Sequence, residues 1–180
     1  KAVVFLARDI TERKKEEENQ RIASAAFDSQ VGMLITDPNL RILRSNRAFT
    51  EITGYSQQEL IGQTPRILQS GTHEKNFYST MWDHIRSTGS WQGEIWNKRK
   101  NGDLYAQYIL IASVRDEKGQ TTHYVASITD ISAYKASEEK VRLLALYDSL
   151  TKLPNRRLFL EHLEQSIQDA EMKKRLGILL

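Results

Sequence analysis

Apolar and polar positions alternate along "VGMLITD", residues 31–37, and again in "RILRSN" after Pro38-Asn39, predicting two strands joined by a tight hairpin. "NRAFTEITGYSQQELIG" then reads as short helices punctuated by Gly54 and Gly62, with Ser56 three before Glu59 as a capping box. From His73 to Thr88 the spacing puts Phe77, Tyr78, Met81, Trp82 and Ile85 on one helical stripe, which Gly89 ends. "WQGEIWNKRK", Asn101-Gly102 and "DLYAQYILIASVR" form the next hairpin, because both turn residues tolerate positive φ. "DEKGQ" turns the chain into a last strand, "TTHYVASITD". Two strands, several helices and three strands make an α+β domain with an antiparallel sheet. In "LYAQYILIASV" both alternate sets are largely apolar, so the second face of the sheet needs a cover, either a flanking helix or another subunit.

A repeat organises the rest. "RDITERKKEEE" at residues 8–18 parallels "TDISAYKASEE" at 129–139, each preceded by a strand-like run, "AVVFLA" and "HYVASI". The pattern is a strand ending where a helix begins, with Asp9 or Asp130 offering its carboxylate to the first turn. It marks the exit of a domain. Residues 1–10 are therefore expected to be the tail of a preceding domain of the same type and 11–30 a connecting helix. Residues 31–131 are expected to be a complete domain and 132–147 an exit helix. "IASAAF" carries Ile22, Ala26 and Phe27, which are expected to lie on the exposed apolar face of the sheet. The chain opens on Lys1 and closes on "RLGILL" without a stop signal, so it reads as a piece of a longer protein.

Composition is that of a chain able to bury a core: 39% of residues are hydrophobic and 27% charged. The longest apolar runs are far below the roughly 20 residues that cross a bilayer, so no membrane contact is expected here; the expected location is cytoplasmic. A parent protein's membrane attachment would lie in other segments. The net charge of +3 is spread along the chain, which favours a solvated mixed surface over nucleic-acid binding. With no cysteine there is no disulfide, thiolate metal site or cysteine-adduct photochemistry. His73, His84, His123 and His162 lack ligand-like spacing, so no metal site is expected.

"SNRAFTEITGYSQQELIG", the "WQGEIWNKRKNGDLY" hairpin and the closing "ITDIS" resemble, in order, the signature segments of PAS sensory domains. The resemblance covers residues 31–133. It implies a five-stranded antiparallel sheet of order 2-1-5-4-3, helices closing one face around a pocket, and flanking N- and C-terminal signalling helices. It also implies a sensory role without catalytic residues, often in a homodimer held through the flanking helices and the sheet face. Asp130, Ile131, Tyr134, Val141 and Leu144 are the expected transmission residues. On spacing, Tyr134, Ser137, Val141 and Leu144 also form a short possible coiled-coil seam.

"YDSLTKLPNRRLFLEHLEQSI" resembles the opening of a GGDEF domain, the diguanylate cyclase fold, here over residues 148–180. Its Leu-Pro-Asn-Arg form is similar to that of tandem proteins carrying GGDEF and EAL modules together. Locally, Leu153-Pro154 breaks a helix and Asn155 caps the next, with Leu158, Leu160, Leu163 and Ile167 as its stripe. The metal-binding Asp of the family would follow the apolar strand that "LGILL" starts, and the Gly-Gly-Asp-Glu-Phe loop would come later. Mg²⁺ and GTP therefore belong to the parent, and the 180 residues themselves are expected to be inactive.

"TPRILQSGTHEKNFYSTMW" with "WQGEIWNKRKNG" resembles the flavin-adenine-dinucleotide-binding PAS domains of nitrogen-fixation and methane-oxidation regulators. That implies a cofactor site of Trp82, Trp91 and Asn97, with Lys75 facing phosphate and His73 beside it. FAD is the leading candidate, and haem, for which His84 would be the axial ligand, ranks below it. Pro65-Arg66 replaces an acidic residue of the redox-sensing members, so their mechanism does not carry over intact. The alternative is a pocket filled by its own side chains, in a ligand-free adaptor or dimerisation domain.

Overall fold

A computed structural model describes the backbone of residues 2–173 and the side chains of 13–168. It divides into two compact units, residues 1–132 and 133–180.

The first unit opens with helix α1, Ala2–Phe27. Residues 2–10, expected as a strand, are part of this helix. With no neighbouring strand among the described residues to take their backbone groups, they satisfy them internally. Ile22 and Ala26 are exposed instead of lying on the sheet, and only Phe27 is buried, beneath the Arg44 guanidinium at 4.2 Å.

Five strands follow in the spatial order β2-β1-β5-β4-β3, every pairing antiparallel. They are β1 (Gly32–Thr36), β2 (Ile42–Ser45), β3 (Ser90–Lys98), β4 (Leu104–Arg115) and β5 (Thr121–Asp130). Between β2 and β3 lie α2 (Arg47–Thr53), α3 (Gln57–Leu60), a 3₁₀ turn (Pro65–Leu68) and α4 (Lys75–Thr88). α2 ends at Gly54 and α4 at Gly89, both left-handed, as the periodicity predicts.

Two turns differ in detail. In β1–β2 Thr36 pairs with Ile42, so the loop spans 37–41 with Leu40 left-handed at φ 63°, and Asp37 accepts from both the Leu40 and Arg41 N–H groups. In β3–β4 only Gly102 takes positive φ, because a turn closed by Gly102 N–H to the Arg99 carbonyl precedes it. Lys98 pairs with Leu104, so the loop spans 99–103 instead of a two-residue Asn-Gly turn.

The core fills the space between one face of the sheet and the helices, with Leu34, Ile42, Phe49, Leu60, Leu68, Met81, Ile85 and Ile128 buried. On β4 the two apolar sets part as expected. Tyr105, Ile109 and Ile111 face this core, whereas Leu104, Tyr108, Leu110 and Val114 stay exposed on the outer face.

After β5 come α5, Ser132–Leu146, and α6, Arg156–Lys173, which Asn155 Oδ1 caps by accepting from the Arg157 and Leu158 N–H groups. Leu158 is buried, but Leu160 and Ile167 are exposed. Residues 176–180, expected to start an apolar strand, lie outside the described residues.

Candidate functional site

The inner face of the sheet and the helices border a half-open cavity of about 970 Å³. Its sheet wall is apolar at Leu34, Ile95, Ile109, Ile111 and Ile128 and polar at Thr36, Asn97 and Gln107. The β3–β4 register pairs Asn97 with Tyr105 and Ile95 with Gln107, so the two amides are diagonal neighbours on one face. Both are buried. The Tyr105 hydroxyl donates to Gln107 Oε1 at 2.9 Å, and Asn97 stands directly across the β3–β4 ladder from Tyr105. Burial pushes the Tyr105 phenol far up, so it stays neutral.

Helix α4 supplies the opposite wall through Tyr78, Met81 and Trp82. The Tyr78 hydroxyl is buried without a hydrogen-bond partner, and burial raises its pKa. Such an orphan is costly unless something in the cavity meets it. Trp82 meets Tyr124 edge-on at 5.3 Å. Three exposed cations, Arg66, Lys75 and Arg86, stand at the cavity's rim.

Of the residues proposed from sequence, Trp82, Asn97, Lys75 and His73 line this cavity and Trp91 does not. The Trp91 ring lies across Gly93, where an added Cβ would sit 2.7 Å from it, and it meets Phe77 edge-on at 5.9 Å. Its site is thus filled by its own strand. His73 stacks on Phe77 at 4.3 Å, and its Nε2 accepts from the Trp96 backbone N–H at 2.8 Å. With the Gln69–Asn97 bridge and Ser70 donating to the Trp96 carbonyl, it pins loop 69–73 to edge strand β3. His84 is exposed, bonds the Ser90 carbonyl at 2.9 Å and is not part of the cavity wall, which leaves an axial haem ligand there without geometric support.

Asp130 closes β5 and is paired with Arg99. Burial pushes its carboxyl up, but hydrogen bonds from Arg99 and Ser132, with the guanidinium charge, outweigh that and hold it below the usual range. Ile131 N–H donates to the Ala106 carbonyl at 2.9 Å. In the helix that begins at Ser132, α5 (Ser132–Leu146), Tyr134, Val141 and Leu144 are all exposed.

Sequence reading missed Tyr78, Tyr105 and Gln107. Gln107 was within reach: it shares strand parity with Tyr105, Ile109 and Ile111, so a buried amide among apolar residues follows from alternation alone. Among the described residues no group of three or more His, Cys, Asp or Glu is placed to hold a metal, and no helix is long and apolar enough to cross a membrane.

The family model described as "PAS domain" matches residues 30–133, and "Diguanylate cyclase, GGDEF domain" matches 145–180. A nitrogen fixation regulatory protein of Klebsiella oxytoca is 34% identical over 114 residues, 63% of this chain and 23% of that protein. A blue-light-activated histidine kinase of Rhizobium johnstonii is 27% identical over 77% of this chain and 46% of its own. The chain thus spans less than half of either relative. Among solved structures, an RNA-binding light-oxygen-voltage receptor matches with a TM-score of 0.63 at 25% identity, covering 71% of this chain and 37% of that one. The PAS domain of a Colwellia psychrerythraea protein matches with a TM-score of 0.60 at 23% identity, over 63% of this chain and 98% of that one.

Proposed function

The chain belongs to the PAS domain family, and from that membership we propose a cytoplasmic sensory module whose cavity takes a small planar ligand and whose occupancy regulates a cyclic di-GMP-metabolising domain downstream. FAD is the first candidate. The carrying observation is the cavity itself: about 970 Å³, with the Asn97 and Gln107 amides buried on a mostly apolar sheet wall and an orphaned Tyr78 hydroxyl on the helix side. That volume is at the upper end of small-ligand sites, where a few polar groups fix orientation within apolar walls.

The residues present fit a flavin. Asn97 and Gln107 would hold its polar ring edge, Trp82 and Ile109 its faces, and Lys75 or Arg66 an anionic tail. When bound, the flavin would supply a redox- or light-sensitive ring, and the chain's own residues would orient it and exclude water. Asn97 can donate or accept, so it can register a change of protonation at that edge.

The purified protein is expected to be yellow, with absorbance in the blue and near-ultraviolet, and to release a flavin on denaturation that mass spectrometry identifies. Asn97→Ala is expected to weaken FAD binding about 10-fold or more, the scale of one buried hydrogen-bonded contact. A colourless protein that stays colourless with added FAD and releases no small molecule would overturn the ligand reading. It would favour a ligand-free adaptor, for which the exposed outer-face Tyr108, Leu110 and Val114 speak.

The parent protein is read as a diguanylate cyclase and/or cyclic di-GMP phosphodiesterase, with Mg²⁺ and GTP belonging to its GGDEF domain alone, and these 180 residues as regulatory and inactive by themselves. Incubating them with GTP and Mg²⁺ is expected to yield no cyclic di-GMP.

A further inference from the structure

Arg99 opens the β3–β4 turn and folds back over the hairpin. Its Nη1 donates to the Ile52 carbonyl and its Nη2 to Asp130, while its Cζ stands 4.2 Å from the centre of the Tyr105 ring. Asp130 Oδ1 accepts from Ser132 N–H at 2.9 Å. Ser132 Oγ in turn accepts from Ala106 N–H at 3.1 Å, and Ile131 N–H donates to the Ala106 carbonyl at 2.9 Å. Ile131 and Ser132, where the exit helix begins, are therefore tied to β4 beside Tyr105.

Tyr105 faces two ways. It is fully buried and takes no part in the cavity wall, yet its hydroxyl stands between the two amides that do. A phenol has one proton, which Gln107 Oε1 receives, so toward Asn97, its partner across the β3–β4 ladder, the hydroxyl can only accept. Any occupant that claims either amide changes what the hydroxyl can donate or accept. The opposite end of the same rigid side chain carries Arg99 on its ring face, an attraction sensitive to where that ring lies.

We propose that Tyr105 is a positioning residue that couples the cavity amides Asn97 and Gln107 to the Arg99–Asp130 pair at the root of the exit helix. The sensory reading gives this coupling its use. The coupling itself is a property of the chain and needs no ligand, so the two ideas fail separately.

The test is a mutant cycle on the full chain, read by amide hydrogen exchange at Ile131 and Ser132. Gln107→Leu removes the acceptor of the Tyr105 proton and is expected to speed exchange at both amides by at least about threefold, the low end of coupling between residues in one network. Asn97→Ala, on the other side of the hydroxyl, gives a second route should Gln107→Leu not fold. In a Tyr105→Phe background, which keeps the ring beneath Arg99, each substitution is expected to add nothing further. Exchange unchanged by both cavity substitutions, or equally changed with and without the hydroxyl, would overturn the coupling. A merely structural Tyr105 predicts the latter result, with the two effects adding independently.

Discussion

At the scale of single residues, Asn46 concentrates more bonding than its sequence context suggests. Its Oδ1 accepts from Phe49 N–H at 2.9 Å, capping α2, and from Met33 N–H at 2.8 Å. Its Nδ2 donates to the Phe27 and Val31 carbonyls, each at 2.7 Å. One buried amide thereby joins the end of α1, β1 and α2. Asn46→Ala is expected to cost about 2 kcal/mol or more, as a lost cap plus stranded backbone groups, read from the midpoint of denaturant unfolding. Gly32 is the steric counterpart. A Cβ there would sit 2.7 Å from Ile128 Cγ1 and 3.1 Å from the Phe49 Cα, which belongs to backbone and yields little. Gly32→Ala is expected to destabilise by about 1–3 kcal/mol in the same assay.

At the scale of elements, α3 is a single turn held by its termini. Glu59 accepts from Ser56 N–H at 3.0 Å and Ser56 Oγ at 2.8 Å, and it pairs with Lys100 on the β3–β4 turn. The Lys100 hydrogen bond first, then those from Ser56, lower the Glu59 carboxyl from 4.5 to about 2. A carboxyl depressed on folding stabilises the fold above its unfolded value and loses that contribution as pH falls through the folded one. The Glu59 contribution is thus expected to fade between about pH 4.5 and 2. Glu59→Gln is expected to flatten this part of the stability-against-pH curve. The capping box was legible because its spacing is local; its bond to Lys100, 41 residues away, was not. The β3–β4 turn makes the same point: Asn-Gly marked its place, but the bonding of Arg99 to both Gly102 and Asp103 set its length.

At the scale of the whole molecule, the outer face of the sheet leaves Tyr108, Leu110 and Val114 exposed, and α1 leaves them uncovered despite the expectation for Ile22 and Ala26. A homodimer through this face and the flanking helices is the proposed cover. Light scattering is expected to give twice the chain mass, and Leu110→Lys is expected to shift it toward the monomer. By itself the sequence determined what depends on near neighbours: five strands and their faces, the stripe of α4, the glycines that end helices and the family's segments. Of the residues it offered as a cofactor site, Trp82, Asn97, Lys75 and His73 line one cavity and Trp91 does not. Only tertiary structure decided that Trp91 is spent on Gly93 and that His73 bonds the Trp96 backbone. It alone assembled Tyr105, Arg99 and Asp130. The reason is physical: periodicity tells which way a side chain points, whereas which partner consumes its hydrogen bonds is set by strand register and loop closure between residues far apart in the chain.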